Sequence, residues 1–150
     1  MKSKKITRIA MWSGPRNIST AMMRSFENRE DTIVIDEPFY AYYLKNSGLV
    51  HPGKDQILKS QSNNWHEVVK EINSELPDNA TIYYQKHMAH HILSNNDMGW
   101  VKNFKNCFLI RNPKEVIISY SKKNVIKSAR DLGFLQQVKL FKKIKNITGV

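Results

Sequence analysis

The segment Trp12-Ser13-Gly14-Pro15-Arg16-Asn17-Ile18-Ser19-Thr20 places a turn, a cation and two hydroxyls directly ahead of a helical pattern. Backbone amides of such a turn and of the helix start converge on one spot where the helix dipole is positive, which suits a phosphate or a sulfate. Arg16 adds charge there, and Ser19 and Thr20 add hydroxyl donors. The Gly-Lys-Ser/Thr of an ATP-type phosphate loop is missing, so a Mg²⁺-dependent kinase or NTPase is disfavoured. A second segment, Leu109-Ile110-Arg111-Asn112-Pro113 running on to Ser119, offers a guanidinium where a strand should end. Arg111 can fork onto a phosphate, and Ser119, two helical turns on, can give a hydroxyl to the same group. Taken singly, each segment also suits a plainer role: Ser19 as a helix cap, Arg16 as a surface charge, Arg111 as the partner of an acid.

Two places could supply a general base. Glu37, in Asp36-Glu37-Pro38, follows a β-branched apolar run. At the carboxyl end of a parallel strand it would face the crevice where open α/β sheets do their chemistry. The alternative for Glu37 is pairing with Arg16 or capping a loop. His87, or His90 nearby, lies in Gln85-Lys86-His87-Met88-Ala89-His90-His91, and an imidazole titrating near neutrality suits proton abstraction. The three histidines with Cys107 invite a zinc reading, but no clear fourth partner or organised surround accompanies them, so no metal is expected.

The elements that must carry these groups alternate. Apolar runs at 6–12, 32–36, 81–85 and 107–110 read as strands. Ile18, Met22 and Phe26 mark a helix over 19–29, and Val68, Val69, Ile72 and Leu76 mark another over 64–76. Pro113 opens a third, and Leu135, Val138, Phe141 and Ile144 stripe a last helix over 131–146. Strands alternating with helices predict an α/β domain with a parallel sheet covered on both faces, a three-layer sandwich filling residues 1–150. The polar stretch 46–64 reads as a long surface loop suited to shaping an acceptor pocket. Gly149 should cap the last helix and Val150 should begin another strand, so the sheet is expected to be incomplete at its C-terminal end.

Composition narrows the class further. The 150 residues contain 41% hydrophobic side chains, enough for one core, and a single cysteine, Cys107, which excludes an internal disulfide. No signal peptide or membrane span is evident, so a cytoplasmic protein without membrane attachment is expected. The net charge of +11, from 24 Lys and Arg against 13 Asp and Glu, attracts polyanions. No nucleic-acid-binding module is present, and a nucleic-acid partner is not expected.

Together the two loops resemble the cofactor-binding loops of the P-loop sulfotransferases. The first of that family's motifs, Pro-(Lys/Arg)-Ser-Gly-Thr-Thr, holds the 5′-phosphosulfate of 3′-phosphoadenosine 5′-phosphosulfate (PAPS). Pro15-Arg16-Asn17-Ile18-Ser19-Thr20, after Gly14, stands in its place. The second motif, Arg-(Asn/Asp)-Pro followed by Ser, holds the 3′-phosphate, and Arg111-Asn112-Pro113 with Ser119 matches its spacing. Ile18 stands where the family has glycine, so the turn must differ in shape or carry strain. The resemblance implies sulfonate transfer from PAPS, without a metal, to a hydroxyl or amine of a small-molecule or carbohydrate acceptor. Arg16 would stabilise the leaving phosphate, and Lys86 would lie near the sulfonate. Glu37 would be the base, as in similar carbohydrate sulfotransferases, or else His87 or His90, after the Lys-x-His of cytosolic members. The family's further C-terminal strand and basic Gly-containing loop have no match after Ser119. The chain is therefore expected to bind nucleotide weakly and transfer poorly. A small-molecule kinase and a non-catalytic nucleotide- or polyanion-binding fragment stand as alternatives, and a homo-oligomer is left open.

Overall fold

The computed structural model describes residues 5–77 and 79–149; the strand start expected at Val150 lies outside them. Strand β1 (Thr7–Ser13) runs from the surface into full burial, helix α1 (Ser19–Glu27) follows, and β2 (Thr32–Asp36) comes next. After α2 (Tyr40–Asn46), α3 (Lys54–Ser60) and α4 (Trp65–Ile72), β3 (Ile82–Met88) enters the sheet. Strand β4 (Lys105–Phe108), α5 (Pro113–Ser121) and α6 (Phe134–Thr148) complete the order. All strand pairings are parallel and the sheet order is β2-β3-β1-β4. The chain leaves β1 for one edge through α1 and later reaches the other side of β1 with β4. The carboxyl end of β1 is thus a topological switch point, where a crevice opens in such sheets.

Both sheet faces are covered, as the alternation of elements requires. On one face α1 packs Met23, with Met22 and Phe26 beside it, against Met11 and Tyr84. On the other, Ala10 and Trp12 meet Val68 and Ile72 of α4 and Leu140 and Ile144 of α6, with Phe39, Trp65 and Trp100 filling the gaps. The indole Nε1 of the buried Trp12 donates to Asn106 Oδ1 at 3.1 Å. Removing a core Trp of this kind typically costs ~3–5 kcal/mol.

Several details differ from the sequence expectation for physical reasons. The stretch 46–64 is not one loop, because α3 occupies Lys54–Ser60 within it. The helix expected over 64–76 stops at Ile72, where Asn73 turns its amide back to the Val69 carbonyl at 2.7 Å. The fourth strand sits two residues earlier than its apolar run: Ile9 to Trp12 pair with Lys105 to Phe108, and Ile110 is 89% exposed. On α6 the stripe spaced by three drifts round the helix, since three residues turn only about 300°. Of that stripe Ile144 is buried, joined by Gln137 and Leu140, while Leu135, Val138 and Phe141 are exposed. Gly149 caps α6 in the left-handed conformation, as expected.

Candidate active site

The loop from Gly14 to Ile18 connects the buried end of β1 to α1 and is shaped from inside. Asn17, buried, donates through Nδ2 to the carbonyls of Gly14 (3.0 Å) and Pro15 (3.2 Å). Its side-chain amide therefore staples the loop from inside. Gly14 sits in tight space, since a Cβ there would lie 3.1 Å from the Leu132 carbonyl and 3.3 Å from Gln137 Oε1, so those neighbours would have to give by a few tenths of an ångström. Behind the loop, Gly133 at φ +70° allows Pro15 an approach that any Cβ would block at 2.9 Å from Pro15 Cδ. Gly133 and Gln137, which also donates to the Leu109 carbonyl at 2.6 Å, are supporting residues that the motif spacing did not reveal. Their signal was a glycine directly before an apolar helical run.

Ile18 has φ 53° and ψ 18°, the left-handed conformation a glycine would take. Arg16 (φ 61°) and Glu37 (φ 49°) share this region, and among the described residues these are the three non-glycine cases. Such conformations cost on the order of 1–3 kcal/mol each and gather at functional sites. Arg16 and Ile18 lie in the anion loop after β1, and Glu37 lies directly after β2. Ile18 caps α1 with no side-chain hydrogen bond, so the first-turn amides remain available to an anion. Ser19 is buried and Thr20 exposed at that helix start.

The second motif reaches this loop directly. Asn112 caps α5 by accepting from the Lys114 amide at 3.0 Å, and Pro113 takes the first helical position, as the spacing predicted. Arg16 Nε donates to Ser119 Oγ at 3.0 Å, and Arg111 Nη1 donates to the Arg16 carbonyl at 3.0 Å. Arg111 Nε is engaged by Glu115 Oε2 at 2.9 Å. Residues 95 or more apart in sequence thus form one cationic cluster at a helix N-terminus. An uncapped helix start and two guanidiniums fit a ligand carrying two anionic groups.

The third part stands at the ends of β2 and β3. Lys86, almost fully buried, donates from Nζ to Asp36 Oδ1 at 2.7 Å and also to Glu37 Oε1. Burial opposes its charge, but the two carboxylates outweigh this and hold the ammonium above its ordinary range. The Glu37 amide donates to the Lys86 carbonyl at 2.9 Å, fixing the carboxylate beside the sheet. Since β3 separates β2 from β1, the strand that leads into Glu37 lies two strand spacings, about 10 Å, from the strand that leads into the anion loop.

His87 is elsewhere. It alternates with Lys86 along β3 and points to the opposite face, 1% exposed and stacked on Trp12 at 4.5 Å between ring centroids. Its Nε2 lies 3.1 Å from Gln85 Oε1, and burial pushes its pKa down to about 3. In that position the ring is turned away from Lys86 and the two carboxylates, which argues against His87 as the proton acceptor. The strand runs on to Met88, three residues past the 81–85 run that marks it in the sequence. His90 and His91 form the 3₁₀ turn Ala89–His91; burial pushes His90 down to about 4 and His91 well below its ordinary range. Cys107 is exposed on β4, and no group of three or more metal-ligating side chains gathers among the described residues. Trp12, Trp65 and Trp100 are all core residues. No helix among the described residues is long and apolar enough to cross a membrane.

Two curated plant proteins match the chain. It is 34% identical over 133 residues to branched-chain-amino-acid aminotransferase-like protein 2 of Arabidopsis thaliana, covering 89% of the chain and 23% of that protein. To the corresponding protein 1 it is 36% identical over 114 residues, covering 76% and 20%. The chain therefore spans less than a quarter of the length of these relatives. No solved structure matches significantly. The model of the sulfotransferase domain family matches residues 7–148, a span that takes in both anion loops and every strand just described, so the chain belongs to the sulfotransferase domain family.

Proposed function

We propose that this chain binds PAPS across the crevice at the end of β1 and transfers its sulfonate to a hydroxyl or amine. The observation that carries this reading is the direct joining of the two motifs: Arg16 reaches Ser119, and Arg111 reaches the Arg16 backbone. One ligand with phosphates at two positions explains why segments so distant in sequence assemble a single cationic cluster.

In this reading the loop amides, the α1 N-terminus and Arg16 hold the 5′-phosphate and stabilise the charge that develops on it as the sulfonate leaves. Arg111 and Ser119 hold the 3′-phosphate. For a hydroxyl acceptor, its oxygen attacks sulfur while the bond from sulfur to the phosphate oxygen breaks, and that oxygen keeps the electron pair. The acceptor proton passes to Glu37, which is partly exposed and fixed by its own amide and Lys86. Lys86 is the cation next to the reacting groups, with two of its three protons engaged by Asp36 and Glu37.

A thermal-shift panel tests this against the other readings. Adenosine 3′,5′-bisphosphate should stabilise the chain with EDTA present. A response only to ATP with Mg²⁺ would favour the kinase, and one only to an RNA oligomer would favour a polyanion-binding fragment.

A further inference from the structure

Behind the two anion segments lies a buried polar side chain that neither motif contains. Gln137 stands in the first turn of α6, on the face that buries Leu140 and Ile144, and is 8% exposed. Its Nε2 donates to the Leu109 carbonyl at 2.6 Å, and its Oε1 stands 3.3 Å from the point where a Cβ on Gly14 would lie. Leu109 is itself anchored, since its amide donates to the Trp12 carbonyl at 2.9 Å. Past it Ile110, 89% exposed, leads directly to Arg111. One carboxamide therefore stands between the start of the first loop and the strand end that leads into the second.

The element that carries Gln137 is pressed on the same loop. Gln137 donates its own amide to the Gly133 carbonyl at 2.9 Å, and a Cβ on Gly133 would come within 2.9 Å of Pro15 Cδ. Ahead of Gly133 the 3₁₀ turn Ala129–Leu132 is closed by a capping box of Ser128 and Asp131, in which the Lys127 and Ser128 amides donate to Asp131 Oδ2 at 2.7 and 3.0 Å. A turn whose polar groups are satisfied locally is a stiff support. The chain thus joins its two anion segments twice. In front, Arg16 meets Ser119 and Arg111 meets the Arg16 carbonyl. These are groups a nucleotide would engage, so a ligand competes for the front contacts. The rear tie joins a buried carboxamide to a backbone carbonyl, and it persists when the front contacts turn to a ligand.

We infer that Gln137 is a positioning residue that fixes the separation of the two phosphate subsites. The inference rests on the reading that one nucleotide bridges them, and it adds the group that sets their spacing. Adenosine 5′-phosphate uses the first loop alone, whose shape Asn17 holds from inside. A ligand with a 3′-phosphate also needs Arg111 at a set distance from that loop, and a charge-assisted contact weakens steeply once its geometry slips.

Isothermal titration of adenosine 3′,5′-bisphosphate and adenosine 5′-phosphate tests this on the chain, on Gln137→Met, on Arg111→Ala and on the double variant. Methionine keeps the length of glutamine and removes the donor. Gln137→Met should weaken the bisphosphate by about fivefold or more, the share of one ordinary hydrogen bond, and the monophosphate by less than about twofold. Because Gln137 acts through the placement of Arg111, adding Gln137→Met to Arg111→Ala should cost the bisphosphate less than about twofold more. A role in packing alone would move both ligands alike, or would add its full loss in the double variant. Either result overturns the inference, as does an unchanged bisphosphate affinity. The ratio of the two affinities is the readout, so Gln137→Asn, which keeps the amide but falls short of Leu109, reads the same loss if Gln137→Met does not fold. Failure of the unaltered chain to bind the bisphosphate would sink the nucleotide reading itself, whereas binding that Gln137→Met leaves intact sinks only this inference.

Discussion

Replacing Arg111 with Ala should separate the two phosphates of the nucleotide. In the ligand-free chain the guanidinium donates to Glu115 and to the Arg16 carbonyl. A charge-assisted bond to a phosphate is worth about 1.5–3 kcal/mol. Binding must first release Glu115, and an exposed helical pair of that kind returns about 0.3–0.5 kcal/mol. The net loss for adenosine 3′,5′-bisphosphate is then about 1–2.5 kcal/mol, or about five- to seventy-fold in Kd. Adenosine 5′-phosphate has nothing for Arg111 to hold. It should lose at most about threefold, from the loosened tie to the Arg16 carbonyl, an ordinary neutral-acceptor bond. Isothermal titration of both ligands against both proteins reads the difference. Equal weakening of the two would refute the assignment of Arg111 to the 3′-phosphate, because only a general disturbance of the loop acts on both alike.

Glu115→Gln should tighten adenosine 3′,5′-bisphosphate by about twofold, since the released pair no longer competes; weakening would show that Glu115 orients Arg111. Glu37→Gln should leave nucleotide affinity intact while lowering sulfonate transfer by about 10²–10⁴, the usual share of a general base; unchanged turnover, followed with labelled donor, would remove Glu37 from that role. Ile18→Gly should raise the urea midpoint, because relief of about 1–2 kcal/mol of left-handed strain exceeds the about 0.5–1 kcal/mol of extra chain entropy, and Ile18 is 62% exposed; a lower midpoint would contradict the strain. Stability should fall on acidification below the ordinary histidine value of 6.5, because the unfolded chain takes up protons that His87 (about 3) and His90 (about 4) refuse until far lower pH. Each contributes about 2 kcal/mol of lost stability at pH 5, so urea midpoints at pH 7 and pH 5 should differ clearly, and His87→Gln should flatten the difference.

What the sequence disclosed was what local chemistry governs. Gly14-Pro15 ahead of a helical pattern, and Pro113 at the first position of a helix, are decided within a few residues, and both loops stand where they were expected. Ile18 left two outcomes open, a different turn or a strained one, and the chain takes the strained one. The end of β3 was misjudged because Gln85-Lys86-His87 is polar where the apolar run stops. In the fold each of these side chains finds a partner: Gln85 donates to the Ile72 carbonyl and faces His87, and Lys86 meets two carboxylates. Partners that come from other elements are invisible in a single stretch of sequence, so the strand was ended at Gln85, three residues too early. The same limit hid the packing of Gly133 and Gln137 behind the anion loop and the pairing of α2 with the histidine turn.

The central claim is that one nucleotide bridges the two motifs, and a crystal structure of the chain with adenosine 3′,5′-bisphosphate tests it most directly. The account predicts the 5′-phosphate on the amides of residues 15–20 at the start of α1, and the 3′-phosphate between Arg111 and Ser119 with Glu115 displaced. Density for the ligand away from these loops, or a 3′-phosphate free in solvent while the Arg111 pair with Glu115 stays closed, would contradict it.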